Sequence, residues 1–166
     1  KKNIKYLKLP KKRFEFRGQI DERLLYDDYA HHPNEIKETI KLGRLFIKQK
    51  NNNEFQNNRL IALFQPHRYS RVKQFKKEFA EELSKADVIY VTNIYGAGEE
   101  NEDKINSKLI TDLIYKTNKN VSFINDYHEI TRHFYDNKEP AYIARGQVLI
   151  NSVPDLNEKV FSLQKF

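Results

Sequence analysis

Three short apolar runs constrain the architecture more than any other feature. RLIALFQ (59–65), VIYVTN (88–93) and VSFIN (121–125) are each too short for a buried helix and are bounded by polar residues. Apolar runs of that length without alternation mark strands covered on both faces. Between the first two runs, Val72, Phe75, Phe79 and Leu83 step by three, four and four, which traces one face of a helix. Between the second and third, Ile105, Leu109 and Leu113 make another helical stripe. Strands that alternate with helices require crossover connections. The expected fold is therefore α/β, a Rossmann-like, mainly parallel sheet with helices on both faces.

The flanking segments extend this pattern. RFEFRGQIDERLLYDD alternates around Phe14 and Phe16, breaks from Gly18 to Arg23 and resumes at Leu24 and Leu25, which reads as an N-terminal β-hairpin. Pro33 suits a first helical turn, where its missing N–H has no partner to lose. Ile36, Ile40 and Ile47 then predict a helix from Pro33 to about Lys48. KNNNEFQNN reads as a polar surface loop. A short helix is expected around His128 to Phe134, and AYIARGQVLI is a candidate fourth parallel strand.

With 166 residues, no repeat and no internal linker, residues 1–166 read as one domain. The chain has neither cysteine nor methionine, so disulfides and thiolate metal sites are excluded. The missing initiator suggests a piece of a longer polypeptide. No window approaches the roughly 18 apolar residues of a membrane span, and no leader precedes the first strand. A cytoplasmic protein without a membrane partner is expected. The net charge is +7, but Lys and Arg are interleaved with Glu, as in KKEFAEELSK, which is a solvated helix face and not a nucleic-acid groove. Oligomeric state is not legible.

Ligands of open parallel sheets bind beyond the carboxyl ends of the strands. Three unusual loops fall there: residues 27–33, 66–71 and 95–99. Arg68 and Arg71 offer planar forks for a carboxylate or phosphate, and both reach one ligand if the helix begins between them. His31 and His67 can exchange protons near neutrality or simply hydrogen-bond. Tyr29 can wall a small pocket, while Gly96 and Gly98 let backbone come close to a ligand. Blander roles stand beside these. Asp27 or Asp28 can cap the following helix, and the arginines can pair with surface acids. The adjacent His31 and His32 cannot face one point, and His128 and His133 diverge round a helix, so no metal site is expected. No G-x-x-x-x-G-K-[ST] phosphate loop occurs.

DDYAHHPNEI, FQPHRYSR and IYGAGE, in this order and spacing, resemble the C-terminal domain of the ATP-dependent Mur ligases of peptidoglycan synthesis, from about Arg13 to about Val121. Within that family they resemble the members that join L-alanine to UDP-N-acetylmuramate. The members that attach recycled tripeptide typically carry phenylalanine at the position of Tyr29 and lack PHRYSR.

The resemblance implies a three-domain parent in which a central domain binds ATP and Mg2+ and this domain closes over the site. It implies an acyl phosphate attacked by the amine of L-alanine. It places Tyr29, His67, Arg68 and Arg71 at the amino acid, Asp28, Tyr29 and His31 towards the nucleotide, and His31 in catalysis. The implied partners are L-alanine, UDP-N-acetylmuramate and ATP, with no nucleic acid. The alternatives are the tripeptide-recycling ligase and a non-catalytic Rossmann-like module that binds anions. Three departures stand out: Ala30 for a common glycine, Asn93 for a frequent aspartate, and RGQVLINSVPDLNEKVF where the family ends on a glycine loop.

Overall fold

The structure, a computed structural model, describes residues 13–20, 23–50, 59–125 and 146–151. In chain order the elements are β1 (Glu15–Ile20), β2 (Arg23–Asp28), α1 (Pro33–Lys50), β3 (Arg59–Phe64), α2 (Tyr69–Leu83), β4 (Val88–Val91), α3 (Lys108–Tyr115), β5 (Val121–Phe123) and β6 (Gly146–Asn151). They form one sheet of order β1-β2-β6-β3-β4-β5, parallel except for β1, which pairs antiparallel with β2. The expected α/β class, mainly parallel sheet and N-terminal hairpin are thus borne out; of the helices expected on both faces, the three described ones share one face, and the helix expected near 128–134 lies outside the described residues. Among the described residues, no helix is long and apolar enough to cross a membrane.

The steps from β2 to β3, β4 and β5 advance in one direction, so right-handed crossovers carry α1, α2 and α3 over the same face. On that face Leu60, Ala62, Phe64, Ile89 and Val91 share a core with Ile36, Ile40, Ile47, Val72, Phe79, Ile110 and Ile114. Phe64 and Phe79 are fully buried, with ring centroids 5.3 Å apart. On the opposite face Ile61, Leu63 and Tyr90 are buried as well, which is why these strands read as unbroken apolar runs.

Two sequence expectations need correction. Gly18 does not end the first strand. β1 continues to Ile20, and the register slips between Phe16 and Gly18, so the glycine marks a bulge and not the turn. The third helix also starts later than its stripe implied. Asn101 brackets Ile105 through both its backbone groups, at 2.7 and 2.8 Å, and α3 begins only at Lys108. Its fully buried residues are Ile110 and Ile114, while Ile105 and Leu113 are only partly buried. The Asn-rich loop, the helix near 128–134 and Pro154 lie outside the described residues. Of the candidate fourth strand, Gly146–Asn151 forms β6, which the sheet places centrally between β2 and β3.

At the end of the sheet where β3 and β4 begin, Asp87 ties three elements. Its carboxylate accepts from Arg44 at 2.6 and 2.8 Å and from the Leu60 amide at 2.6 Å. Although burial works against its charge, these bonds hold the Asp87 carboxyl below its usual value. The opposite end, where β2, β3 and β4 finish, is left for the three unusual loops.

Candidate functional site

The β2–α1 junction is built by two carboxylates. Asp28 turns inward: one oxygen accepts from the Ala30 amide at 2.8 Å and the other from the Phe14 amide at 2.9 Å. Burial raises its pKa despite those bonds. Glu35, in the first turn of α1, reaches back to the amides of His31 and His32 at 3.0 and 3.1 Å. The His32 carbonyl accepts the first helical bonds, so His32 is the N-cap and Glu35 completes a capping box. The His32 ring receives the Asn34 amide at 3.4 Å, the part usually played by serine or threonine. Burial opposes the Glu35 charge, but the His31 amide, the His31 ring and the His32 amide hold it below its ordinary value.

This junction answers why two histidines stand side by side. His32 turns to α2, edge-on to Phe75 at 4.9 Å, where the helix departs from ideal dihedrals. His31 turns outward, 5.0 Å from the Tyr29 ring and 5.9 Å from the His67 ring. Its Nδ1 lies 2.9 Å from the Tyr29 carbonyl, which can only accept, so Nδ1 carries the proton and Nε2 the lone pair of the neutral ring.

The other two loops are zipped together by backbone. The Tyr95 amide donates to the Pro66 carbonyl, and the Arg68 amide donates to the Tyr95 carbonyl, both at 2.8 Å. Arg68 pays for this geometry with a left-handed φ of 70°, an unfavourable conformation for a non-glycine residue. The bridge sets Tyr95 against His67, with ring centroids 5.6 Å apart. A row therefore runs Tyr29, His31, His67, Tyr95 across the ends of β2, β3 and β4.

The arginines stand beside this row. Arg68 occupies the N-cap position of α2 and Arg71 lies one turn on, so both project from the same end of the helix, as their spacing predicts. Arg71 Nη1 lies 3.2 Å from His67 Nδ1, a contact in which a neutral imidazole accepts. Burial, followed by the charges of Arg71, His31 and Arg68, pushes the His67 pKa down, which favours that neutral form. The Arg68 guanidinium is half exposed and 3.7 Å from Glu99, too far for a tight hydrogen bond. A cleft of about 640 Å³ lies beyond Glu99, between Lys73 and the acidic stretch that includes Glu100, Glu102 and Asp103. Its acidic wall disfavours anions, so an anionic ligand is directed to the arginine side.

The structure thus brings Tyr29, His31, His67, Arg68 and Arg71 to one rim. Asp28 sits beneath that rim with its carboxylate turned inward. Gly96 serves a different end from the one expected: a Cβ there would lie 2.8 Å from the Tyr69 ring, so the missing side chain seats α2 against the loop. Gly98 adopts a left-handed φ of 85°. Asn93 donates through its side chain to that of Asn125, and Ala30 is buried. Sequence reasoning placed 95–99 among the three loops but gave no role to Tyr95, Glu99 or Glu35. Glu35 had a signal, an acid three residues after the N-cap; Tyr95 and Glu99 are brought in only by the tertiary fold.

Comparison with known proteins places the chain in a family and matches its fold. Residues 12–143 match the family described as Mur ligase, glutamate ligase domain. UDP-N-acetylmuramate–L-alanine ligase of Prochlorococcus marinus subsp. pastoris is 66% identical over 136 residues, 81% of this chain and 29% of that protein. Among solved structures, the UDP-N-acetylmuramate-alanine ligase of Thermotoga maritima superposes with a TM-score of 0.59 at 22% identity, covering 93% of this chain and 29% of that one. The murein peptide ligase of Psychrobacter arcticus gives 0.61 at 18% identity, covering 92% and 29%. At those identities the superpositions speak for the fold alone. The chain spans under a third of the length of these relatives. With a rim assembled from the three motifs, a matching fold and a family match over most of its length, the chain belongs to the Mur ligase family, as its glutamate ligase domain.

Proposed function

We propose that this domain closes over the active site of a cytoplasmic, ATP-dependent ligase that joins L-alanine to UDP-N-acetylmuramate through an acyl phosphate. The observation that carries the reading is the convergence of Arg68 and Arg71 with the row of Tyr29, His31 and His67 on one accessible rim. The similarity to an L-alanine ligase supports that choice of amino acid over a tripeptide.

In this reading the two guanidinium groups hold the carboxylate of L-alanine, for which planar forks are suited. Neutral His67 orients Arg71 and adds no further positive charge. Tyr29 walls the pocket. The Nε2 lone pair of His31 takes the proton that the amine sheds as it attacks. Asp28 acts on the nucleotide side by bracing the loop that carries Tyr29 and His31. Fixing the amine next to the acyl carbon makes its attack effectively intramolecular, worth about 7 kcal/mol or more. Closure of the domain also keeps water from the activated carboxyl.

ATP supplies the phosphoryl group that activates the lactyl carboxylate. In this reading, which follows the family resemblance, Mg2+ and the phosphates of ATP are held mainly by a central domain outside this chain. The test is a side-by-side assay of an intact ligase carrying this domain, with L-alanine and with the recycled tripeptide. Amide formation from L-alanine is expected. Turnover of the tripeptide alone would overturn the reading.

A further inference from the structure

The amino end of α2 is where a loose anion would ordinarily bind, because its first amides lack helical partners. Here that place is taken. Arg68, at the N-cap, contributes no side-chain cap. Instead Glu99, from the β4–α3 loop, receives the Ser70 amide at 3.0 Å and the Ser70 hydroxyl at 2.7 Å. The same carboxylate lies 3.7 Å from Arg68. The loop packs closely here, where a Cβ on Gly96 would lie 2.8 Å from the Tyr69 ring and 3.2 Å from the Glu99 carbonyl.

Two consequences follow. The Ser70 amide is already satisfied by a carboxylate, whose charge also disfavours a second anion at the helix end, so a substrate carboxylate is left to the guanidinium groups. Moreover, the direction in which those groups project is set by a first turn that Glu99 fixes from outside the helix.

We propose that Glu99 is a positioning residue for the amino-acid substrate, a cap supplied by the neighbouring β4–α3 loop that holds the first turn of α2 so that Arg68 and Arg71 converge on one carboxylate. The inference rests on the function proposed above. Its contact with Arg68 is loose enough to let that side chain swing to a ligand, while its bonds to Ser70 are short and hold the backbone.

The test is steady-state kinetics of the intact ligase carrying this domain, with Glu99→Ala, Glu99→Gln, Arg68→Ala and the double variant Glu99→Ala/Arg68→Ala. Glu99→Ala should raise the KM for L-alanine about tenfold, with kcat and the KM for UDP-N-acetylmuramate within about twofold. Glu99→Gln keeps an acceptor for Ser70 but loses the charge beside Arg68, and should raise the L-alanine KM about threefold; it carries the test if the alanine variant does not fold. Because Glu99 acts through the arginines, its effect in the Arg68→Ala background should shrink well below a multiplicative one. An L-alanine KM unmoved by either Glu99 substitution, while Arg68→Ala raises it, sinks this inference alone. So does full multiplication of the two effects. If Arg68→Ala itself leaves the L-alanine KM unchanged, the underlying assignment of the site falls and takes this inference with it.

Discussion

Replacing Asp28 by alanine tests how the rim is built. The Asp28 side chain is buried, and its two oxygens accept the amides of Phe14 and Ala30 at 2.9 and 2.8 Å. Truncation leaves both donors without that partner, at about 1–3 kcal/mol for each buried one. Part of the loss is offset, because burial disfavours the Asp28 charge and raises its pKa. We expect a net destabilisation of about 2 kcal/mol. That should speed local hydrogen exchange at Phe14 and Ala30 roughly 30-fold, since each 1.4 kcal/mol is about a factor of ten.

The same residue gives a pH signature. A carboxyl whose pKa is raised on folding is protonated more readily folded than unfolded. Its contribution to stability is therefore full below the ordinary value of 3.8 and is lost as pH rises through the folded value. Asp28→Asn should remove that component from the stability–pH curve. Exchange mapped by mass spectrometry on the intact protein would decide the matter. An Asp28→Ala protein with unchanged exchange at Phe14 and Ala30, but a raised KM for ATP, would refute the inward bracing role.

Further outcomes follow from the junctions around it. Glu35→Gln keeps an acceptor for the His31 and His32 amides but loses the charge at the amino end of α1, and should cost about 0.3–1 kcal/mol. Because the Glu35 pKa is lowered on folding, its stabilisation is present above the ordinary carboxylate range and disappears as pH falls through the folded value, so the two proteins should converge in acid titrations monitored by circular dichroism. Gly96→Ala places a methyl 2.8 Å from the Tyr69 ring and 3.2 Å from the Glu99 carbonyl. The ring can swing but the carbonyl can move only with its loop, so a cost of about 1–3 kcal/mol is expected in thermal unfolding, with a raised KM for L-alanine.

Much of this was legible in the chain because burial on both faces leaves unbroken apolar runs. RLIALF, VIYV and VSF fall on β3, β4 and β5, and Pro33 does open α1. The pairing of Arg68 with Arg71 was legible too, because helical spacing fixes which side chains share an end. The order of the strands was not. β6 comes last in sequence yet sits between β2 and β3, and no local signal says which neighbour a buried strand will take. The α3 stripe misled because Leu109 and Leu113 are as apolar as Ile110 and Ile114, and the start of the helix is marked by the Asn101 bracket at Ile105 and by Asn106, whose side chain accepts the Lys108 amide. The role of Glu99, whose loop the sequence did single out, was hidden for a similar reason: its partner, Ser70, is 29 residues away and meets it only once the β3–α2 and β4–α3 loops are zipped.

The most direct measurement is the KM for L-alanine of an intact ligase bearing Arg68→Ala, set beside its KM for UDP-N-acetylmuramate. If the guanidinium groups on this rim receive the amino-acid carboxylate, the first rises at least tenfold, about 1.4 kcal/mol, and the second stays put. An unchanged L-alanine KM, or an equal rise in both constants, would contradict that placement.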